Sequence, residues 1–241
     1  MIGLVMTHCN REEQLFKTLD SFKQYNPNDF FVHVIDDTRN EDLEFPDYDF
    51  EVSYTYHFDK KWSNSCIPFN YGIGFCIDDG ADIIILQNAE CCHLGDILGY
   101  VKKNLNESNY ISFGCYSQGK DETIGSVINA KGASFNGESA WYNHPVYRPV
   151  GYHFCSAITA KNMIKLNGFD ERLKDGIAYD DDFYLHQVNN LGLKIVITST
   201  PYVIHQWHEQ TQWGGESNEN LYNELVQSKD YKAVHLITPD L

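Results

Sequence analysis

The chain has 241 residues, 42% of them hydrophobic and 14% aromatic, enough to bury a core without disulfides or structural metals. Its 34 acidic residues outnumber 18 basic ones for a net charge of −16, which argues against general attraction to nucleic acid or anionic lipid and requires a metal or a local cation for any anionic ligand. The seven cysteines form no CxxC pair, and no basic leader or apolar run of about 18 residues is present, so we expect one cytoplasmic domain with reduced thiols and no membrane span.

Residues 2–6, IGLVM, form a continuous apolar run that predicts a strand buried on both faces. After THCNR, Leu15, Leu19 and Phe22 mark the inward stripe of a helix over about 11–25, stopped by Asn26 and Pro27. FFVHVI at 30–35 is a second buried strand ending at Asp36 and Asp37. The three elements make a β-α-β unit, whose parallel strands place both polar ends at one carboxyl edge, where ligands bind in open α/β sheets. A third strand is expected at 52–58, a helix through Phe69, Ile73 and Cys76 from 64 to 78, and a strongly apolar strand, ADIIILQ, that ends in Asn88, Ala89 and Glu90. A helix with Ile97, Leu98 and Val101 and a strand at 110–116 follow.

Periodicity is lost from 117 to 151, where a cluster of Trp141, Tyr142, His144 and Tyr147 suits a substrate-facing loop. Strand character returns at 153–159, and a helix with Met163 and Leu166 closes at Gly168. The next helix opens on Asp180, Asp181 and Asp182 and continues through Tyr184, Val188 and Leu191. KIVITS at 194–199 is a strand, YVIHQWHEQTQWGG carries two histidines and two tryptophans, and 216–228 reads as an amphipathic helix.

Three constellations carry chemistry. Thr7, Asn10 and Arg11 after the first strand, with Asp36 and Asp37 after the second, can form a nucleotide pocket, although no GxGxxG turn is present and the two acids can also serve as loop caps. Asn88 and Glu90, two oxygen ligands one residue apart at a strand end, suit Mg²⁺ or Mn²⁺ if a third ligand joins them; the same two can also be a polar strand end. His205 and His208 are the candidates, His208 preferred because it lies in the loop beyond the apolar YVIH, and an imidazole shifts the choice toward Mn²⁺. The three aspartates either cap a helix or supply a general base, since like-charged neighbours keep Asp180 avid for a proton.

The order TxxNR, IDD, a helix with Asn70 and Gly72, a DxD-like strand end, GFDE, DDDF and a late histidine resembles the GT-A glycosyltransferases, family 2 above all, over residues 2–210. NGFDE to DDDF also resembles the galactosyltransferase-type C-terminal segment. The resemblance implies a single α/β domain with a mostly parallel sheet flanked by helices, residues 1–116 binding the nucleotide and 117–241 the acceptor and the catalytic groups. It further implies a UDP-sugar donor held by Thr7, Asn10, Arg11, Asp36, Asp37, Asn70 and Asn88. Glu90 with His208 or His205 would hold Mn²⁺ or Mg²⁺, Asp180 would be the inverting base with Asp181 next, and Trp141, Tyr142, His144 and Trp213 would stack on a carbohydrate or glycoconjugate acceptor. The sequence departs from the DxD pattern, with Asn88 and Glu90 in place of its two aspartates. Two other classes share these features: a sugar nucleotidyltransferase, which lacks support because no basic glycine-rich phosphate loop is present, and a sugar-nucleotide or glycan-binding protein without turnover.

Overall fold

The structure, a computed structural model, describes residues 1–37, 43–56, 60–129, 141–209 and 216–241. Four strands, β1 (Ile2–His8), β2 (Phe30–Asp36), β3 (Glu51–Tyr56) and β4 (Ile83–Asn88), run parallel in the order β3-β2-β1-β4. The sheet continues through β8 (Cys155–Thr159), β6 (Asn109–Ser117), β9 (Lys194–His205) and β5 (Cys91–Leu94), and β7 (Trp141–Asn143) pairs with β6. In this second half only β6 and β9 are parallel; β4 with β8, β6 with β8, β6 with β7, and β5 with β9 are antiparallel. The fold is thus an α/β sandwich on one mixed sheet whose first half is wholly parallel. Of the strand expected at 52–58, residues 57 and 58 lie outside the described residues, as does the centre of the aperiodic stretch, 130–140.

Alternation along β1 explains why its run is apolar without a break. Leu4 and Met6 face one side, where they meet Leu15, Leu19 and Phe22 of α1 (Glu12–Phe22) and Ile97, Leu98 and Val101 of α3 (Ile97–Asn104). Val5 faces the other, against Phe69, Ile73 and Cys76 of α2 (Cys66–Asp78), Met163 and Leu166 of α5 (Ala160–Leu166) and Phe183, Tyr184 and Val188 of α6 (Asp180–Asn190). Both faces are covered, so nearly every β1 side chain is buried, each large one contributing about 1.5–3 kcal/mol. Helix α2 lies so close to the sheet that a Cβ at Gly72 would meet Val5 Cγ1 at 2.3 Å. Two further helices are α4 (Ile124–Asn129) and α7 (Glu219–Ser228). Strand β5 and all but the last residue of β6, from within residues 1–116, lie beside β8 and β9 from after it, so the two expected halves share one sheet. No helix among the described residues is long and apolar enough to cross a membrane.

Candidate functional site

Register places the functional residues. Thr7 lies level with Ile35 and Asn88, and His8 with Asp36, so the ends of β1, β2 and β4 share one edge. A cleft of about 260 Å³ opens there, lined by Thr7, Arg11, Asp37, Asn88 and Glu90 together with His153, Phe154, Asp180 and Asp181.

The two acids after β2 part company. Asp36 is wholly buried: Tyr54 donates a short hydrogen bond to it, and His8 Nδ1 lies 3.4 Å from its Oδ2. His8 Nε2 accepts the Arg11 backbone N–H at 3.0 Å, which puts the imidazole proton on Nδ1, toward Asp36. Asp36 therefore organises the strand ends and does not line the cleft. Asp37 does, and its carboxylate accepts from Lys60 Nζ at 2.5 Å and Trp62 Nε1 at 2.8 Å. Burial pushes its pKa up while Lys60 and Trp62 pull it back. Lys60 and Trp62 escaped the sequence reading, although adjacent lysines at 60 and 61 are conspicuous in so acidic a chain.

Glu90 acquires its neighbours through β5 and β9. The antiparallel pairing sets Cys91 opposite His205, and the Gln206 N–H closes on the Glu90 carbonyl at 2.8 Å. Glu90 Oε1 then lies 3.1 Å from His205 Nε2 and 2.6 Å from Arg11 Nη1. Burial alone would raise the Glu90 pKa, but His205 and Arg11 together hold it well below the ordinary carboxylate range. Glu90, His205 and His208 each offer a ligand atom, all within 4.8 Å of one another. His208 Nδ1 donates to the Glu209 carbonyl at 2.9 Å, leaving Nε2 with its lone pair, the tautomer usual in metal-binding histidines. One carboxylate and two imidazoles fit a divalent ion that accepts nitrogen beside oxygen, such as Mn²⁺, better than Mg²⁺, which prefers oxygen alone. His205 and His208 both stand beside Glu90 in this group.

Helix α6 begins at Asp180, and its N-cap is Tyr179, which makes no side-chain cap. The aspartates are thus the first turn and not caps. Asp181 Oδ1 lies 2.5 Å from His153 Nδ1, and Asp182 Oδ1 accepts from Tyr152 Oη at 2.7 Å. Asp180 is half-buried and, among the described residues, receives no side-chain hydrogen bond; burial and the neighbouring Asp181 push its pKa up to about 6, with His153 pulling it down. His153 was not singled out from the sequence, where it reads as the first residue of the strand expected at 153–159; in the structure it precedes β8.

Several expected ligand residues do other work. Asn70 is buried in α2, donating Nδ2 to the Phe169 carbonyl at 2.9 Å and to Glu171 Oε1 at 3.1 Å while its Oδ1 accepts the Phe169 N–H at 2.8 Å; it braces two chain segments and does not line the cleft. Asn10 is exposed in the turn after β1 with φ 51°, also outside the cleft wall. Trp141, 3% exposed, packs against Tyr116, His144, Tyr147 and Tyr202, so its ring has little face for a sugar. His144 Nδ1 accepts the Val146 and Tyr147 N–H groups and caps a turn. Tyr142 is half-buried, stacked on Phe154 and edge-on to His205, beside the ligand cluster. Trp213 lies outside the described residues.

No protein-family model matches the sequence, and no curated protein matches it either. Its fold does have clear counterparts. It is similar to TarS 1–349 of S. aureus in complex with UDP (TM-score 0.63, 11% identity, 98% of this chain and 67% of that one). It is similar to the catalytic domain of Drosophila beta1,4-galactosyltransferase 7 in complex with xylobiose (0.60, 11%, 92% and 79%). A third counterpart is the mannosyltransferase PcManGT of Pyrobaculum calidifontis in complex with GDP-Man and Mn²⁺ (0.55, 12%, 88% and 58%). The chain spans 64% of another TarS 1–349 structure and 40% of a longer TarS structure. The fold of this chain is that of the GT-A glycosyltransferases.

Proposed function

We propose that the chain is a glycosyltransferase that moves a sugar from a nucleotide-diphosphate donor, UDP-linked, to a carbohydrate hydroxyl with inversion. The observation that carries this is one cleft lined both by Thr7, Asp37, Asn88 and Glu90 and by Asp180 and Asp181 of the first turn of α6. TarS, the galactosyltransferase and the mannosyltransferase are seen with UDP, xylobiose and GDP-Man with Mn²⁺ respectively, which supports the same class of ligand here. Asp37, which lines the cleft, offers a carboxylate acceptor of the kind the N–H of uracil requires.

Asp180 takes the proton of the acceptor hydroxyl, whose oxygen attacks the anomeric carbon as the bond to the diphosphate breaks on the opposite face. A carboxylate with a pKa near 6 is ionised at neutral pH yet retains affinity for a proton, which suits a base. Glu90, His205 and His208 would hold manganese, which supplies positive charge that favours departure of the diphosphate. Arg11, already on Glu90, adds a second positive charge at that end of the cleft. The same Arg11–Glu90 pair favours a second reading, a sugar-nucleotide-binding protein without turnover, in which the guanidinium occupies the carboxylate that a metal needs.

Calorimetry of UDP with and without Mn²⁺, followed by transfer assays over a panel of UDP-sugars, tests both. Binding that chelators abolish, with transfer to an added glycan, is the expected result. Binding without turnover of any donor selects the second reading, and no nucleotide binding overturns both.

A further inference from the structure

We propose that His153 is a positioning residue for transfer: its imidazole pairs as an ion with the Asp181 carboxylate and leaves Asp180 as the base of the acidic triplet. The inference rests on the assignment of Asp180 as the base and goes beyond it, because it names what sorts three adjacent and chemically identical side chains.

The geometry is specific. His153 Nδ1 lies 2.5 Å from Asp181 Oδ1, and the histidine side chain is 7% exposed against 34% for the aspartate, so the contact is made by a buried group reaching toward a cleft-facing one. The ring is clamped edge-on by Phe69 of α2 at 5.0 Å and by Phe169 at 4.8 Å, with Tyr184 of α6 at 6.2 Å. Such packing stops the imidazole from turning to another partner. Its backbone is fixed as well: the next residue, Phe154, accepts the Asn88 N–H at 3.0 Å, so His153 is anchored to the strand end that bears the proposed diphosphate site.

Electrostatics explain why an imidazole is needed here. Three carboxylates start α6, and the groups facing His153 and its partner include Asp180 and Tyr184 from α6, Cys66 from α2, Tyr110 from β6 and Tyr152 from the approach to β8. Burial keeps the Cys66 thiol and the Tyr110 phenol protonated, so neither offsets the negative charge. Burial lowers the proton affinity of His153, but Asp181 more than offsets this and leaves the imidazole above its ordinary pKa. The resulting cation neutralises Asp181, and Asp180 stays ionised at lower pH than it would beside two unpaired carboxylates. During transfer the acceptor proton moves to Asp180, and the His153–Asp181 pair keeps its own proton throughout.

The test joins a spectroscopic and a kinetic readout on the full chain. In histidine-labelled protein, ¹H–¹⁵N spectra should show His153 protonated on Nδ1 and titrating above the ordinary value of about 6.5, and Asp181→Asn should move that titration to lower pH. His153→Leu should lower kcat roughly 10–100-fold with little change in donor KM, and shift the acidic limb of the kcat profile to higher pH, because carboxylates that lose a neighbouring cation hold their protons more tightly. His153→Asn, polar but without the charge, should leave the limb displaced as in His153→Leu, because the contact with Asp181 is one of charge. Where His153→Leu does not fold, His153→Asn and the Asp181→Asn spectra decide. A His153 titration indifferent to Asp181→Asn, or a wild-type pH profile in His153→Leu, overturns the proposal while a dead Asp180→Asn leaves the base assignment standing. An Asp180→Asn variant that transfers like the wild type overturns the base assignment, and this proposal with it, whatever the spectra show.

Discussion

Tyr152 and His153 reach Asp182 and Asp181 from the approach to β8, and among the described residues nothing comparable reaches Asp180. Carboxylates of one kind thus acquire different chemistry from their surroundings, and the difference was invisible in the triplet itself, where only relative position argued for Asp180. The raised pKa of Asp180 has a consequence for stability. Because the folded state keeps the proton up to about pH 6 while an unfolded aspartate loses it near its ordinary value, the folded state binds more protons between the two and stability falls as pH rises through that window. Asp180→Asn removes this penalty, so its melting temperature should exceed that of the wild type at pH 8, with the gain vanishing by about pH 4. The same variant should bind UDP normally yet lose roughly 10²–10⁴-fold in transfer, so calorimetry, thermal unfolding and kinetics on one protein separate its charge cost from its catalytic use. Asp37→Ala belongs to this scale too: calorimetry should find weaker UDP binding, and unchanged affinity in a folded protein would remove Asp37 from the pocket.

Elements decide which distant residues meet. The β1-α1-β2 unit was legible because β1 and β2 are buried on both faces and so lack polar interruptions, and α1 carries a clean inward stripe. Strand β5 was not, because four residues, CCHL, carry too little period to identify a strand. Its absence from the sequence reading hid why Glu90 meets both histidines, since β5 pairs with the far end of β9. The entry to α6 is a second case. Ala178 and Tyr179 both have left-handed backbone, φ 62° and 67°, and Asn218 Nδ2 fixes the approach by donating to the Leu173 carbonyl at 2.8 Å and the Ala178 carbonyl at 3.0 Å. Ala178 is exposed, so Ala178→Gly loses no packing and relieves a conformation that disfavours a Cβ, a gain of about 0.5–1 kcal/mol detectable as a higher melting temperature. A melting temperature unchanged or lowered by that substitution would argue that the left-handed turn is not present in solution.

At the scale of the whole molecule, the segment 167–171 stitches together parts of the chain far apart in sequence. Its NGFDE motif was legible as a resemblance, but its work was not, because nothing in five residues names partners 65–101 positions away. Asn70 reaches it from α2, and Glu171, fully buried, accepts the N–H groups of Leu236 and Ile237 at 2.7 Å and of Thr238 at 3.3 Å, together with the Thr238 hydroxyl. Asn167 adds bonds to the Ala233 carbonyl, the Asp240 carboxylate and the Leu241 N–H. A carboxylate ringed by donors is worth more than a surface charge, because its removal leaves several buried N–H groups without an acceptor. Glu171→Ala should therefore cost about 3–5 kcal/mol, which for a chain of this length lowers the melting temperature by roughly 6–20 °C. Glu224, exposed on α7, serves as the control, and Glu224→Ala should stay within about 0.5 kcal/mol of the wild type. Amide exchange at Leu236–Thr238 should accelerate in Glu171→Ala far more than exchange in β1, since the tail loses its acceptor while the central strand keeps both neighbours. Uniform acceleration across both regions would mean that the tail and the sheet open as one unit, with the stitch inseparable from the core.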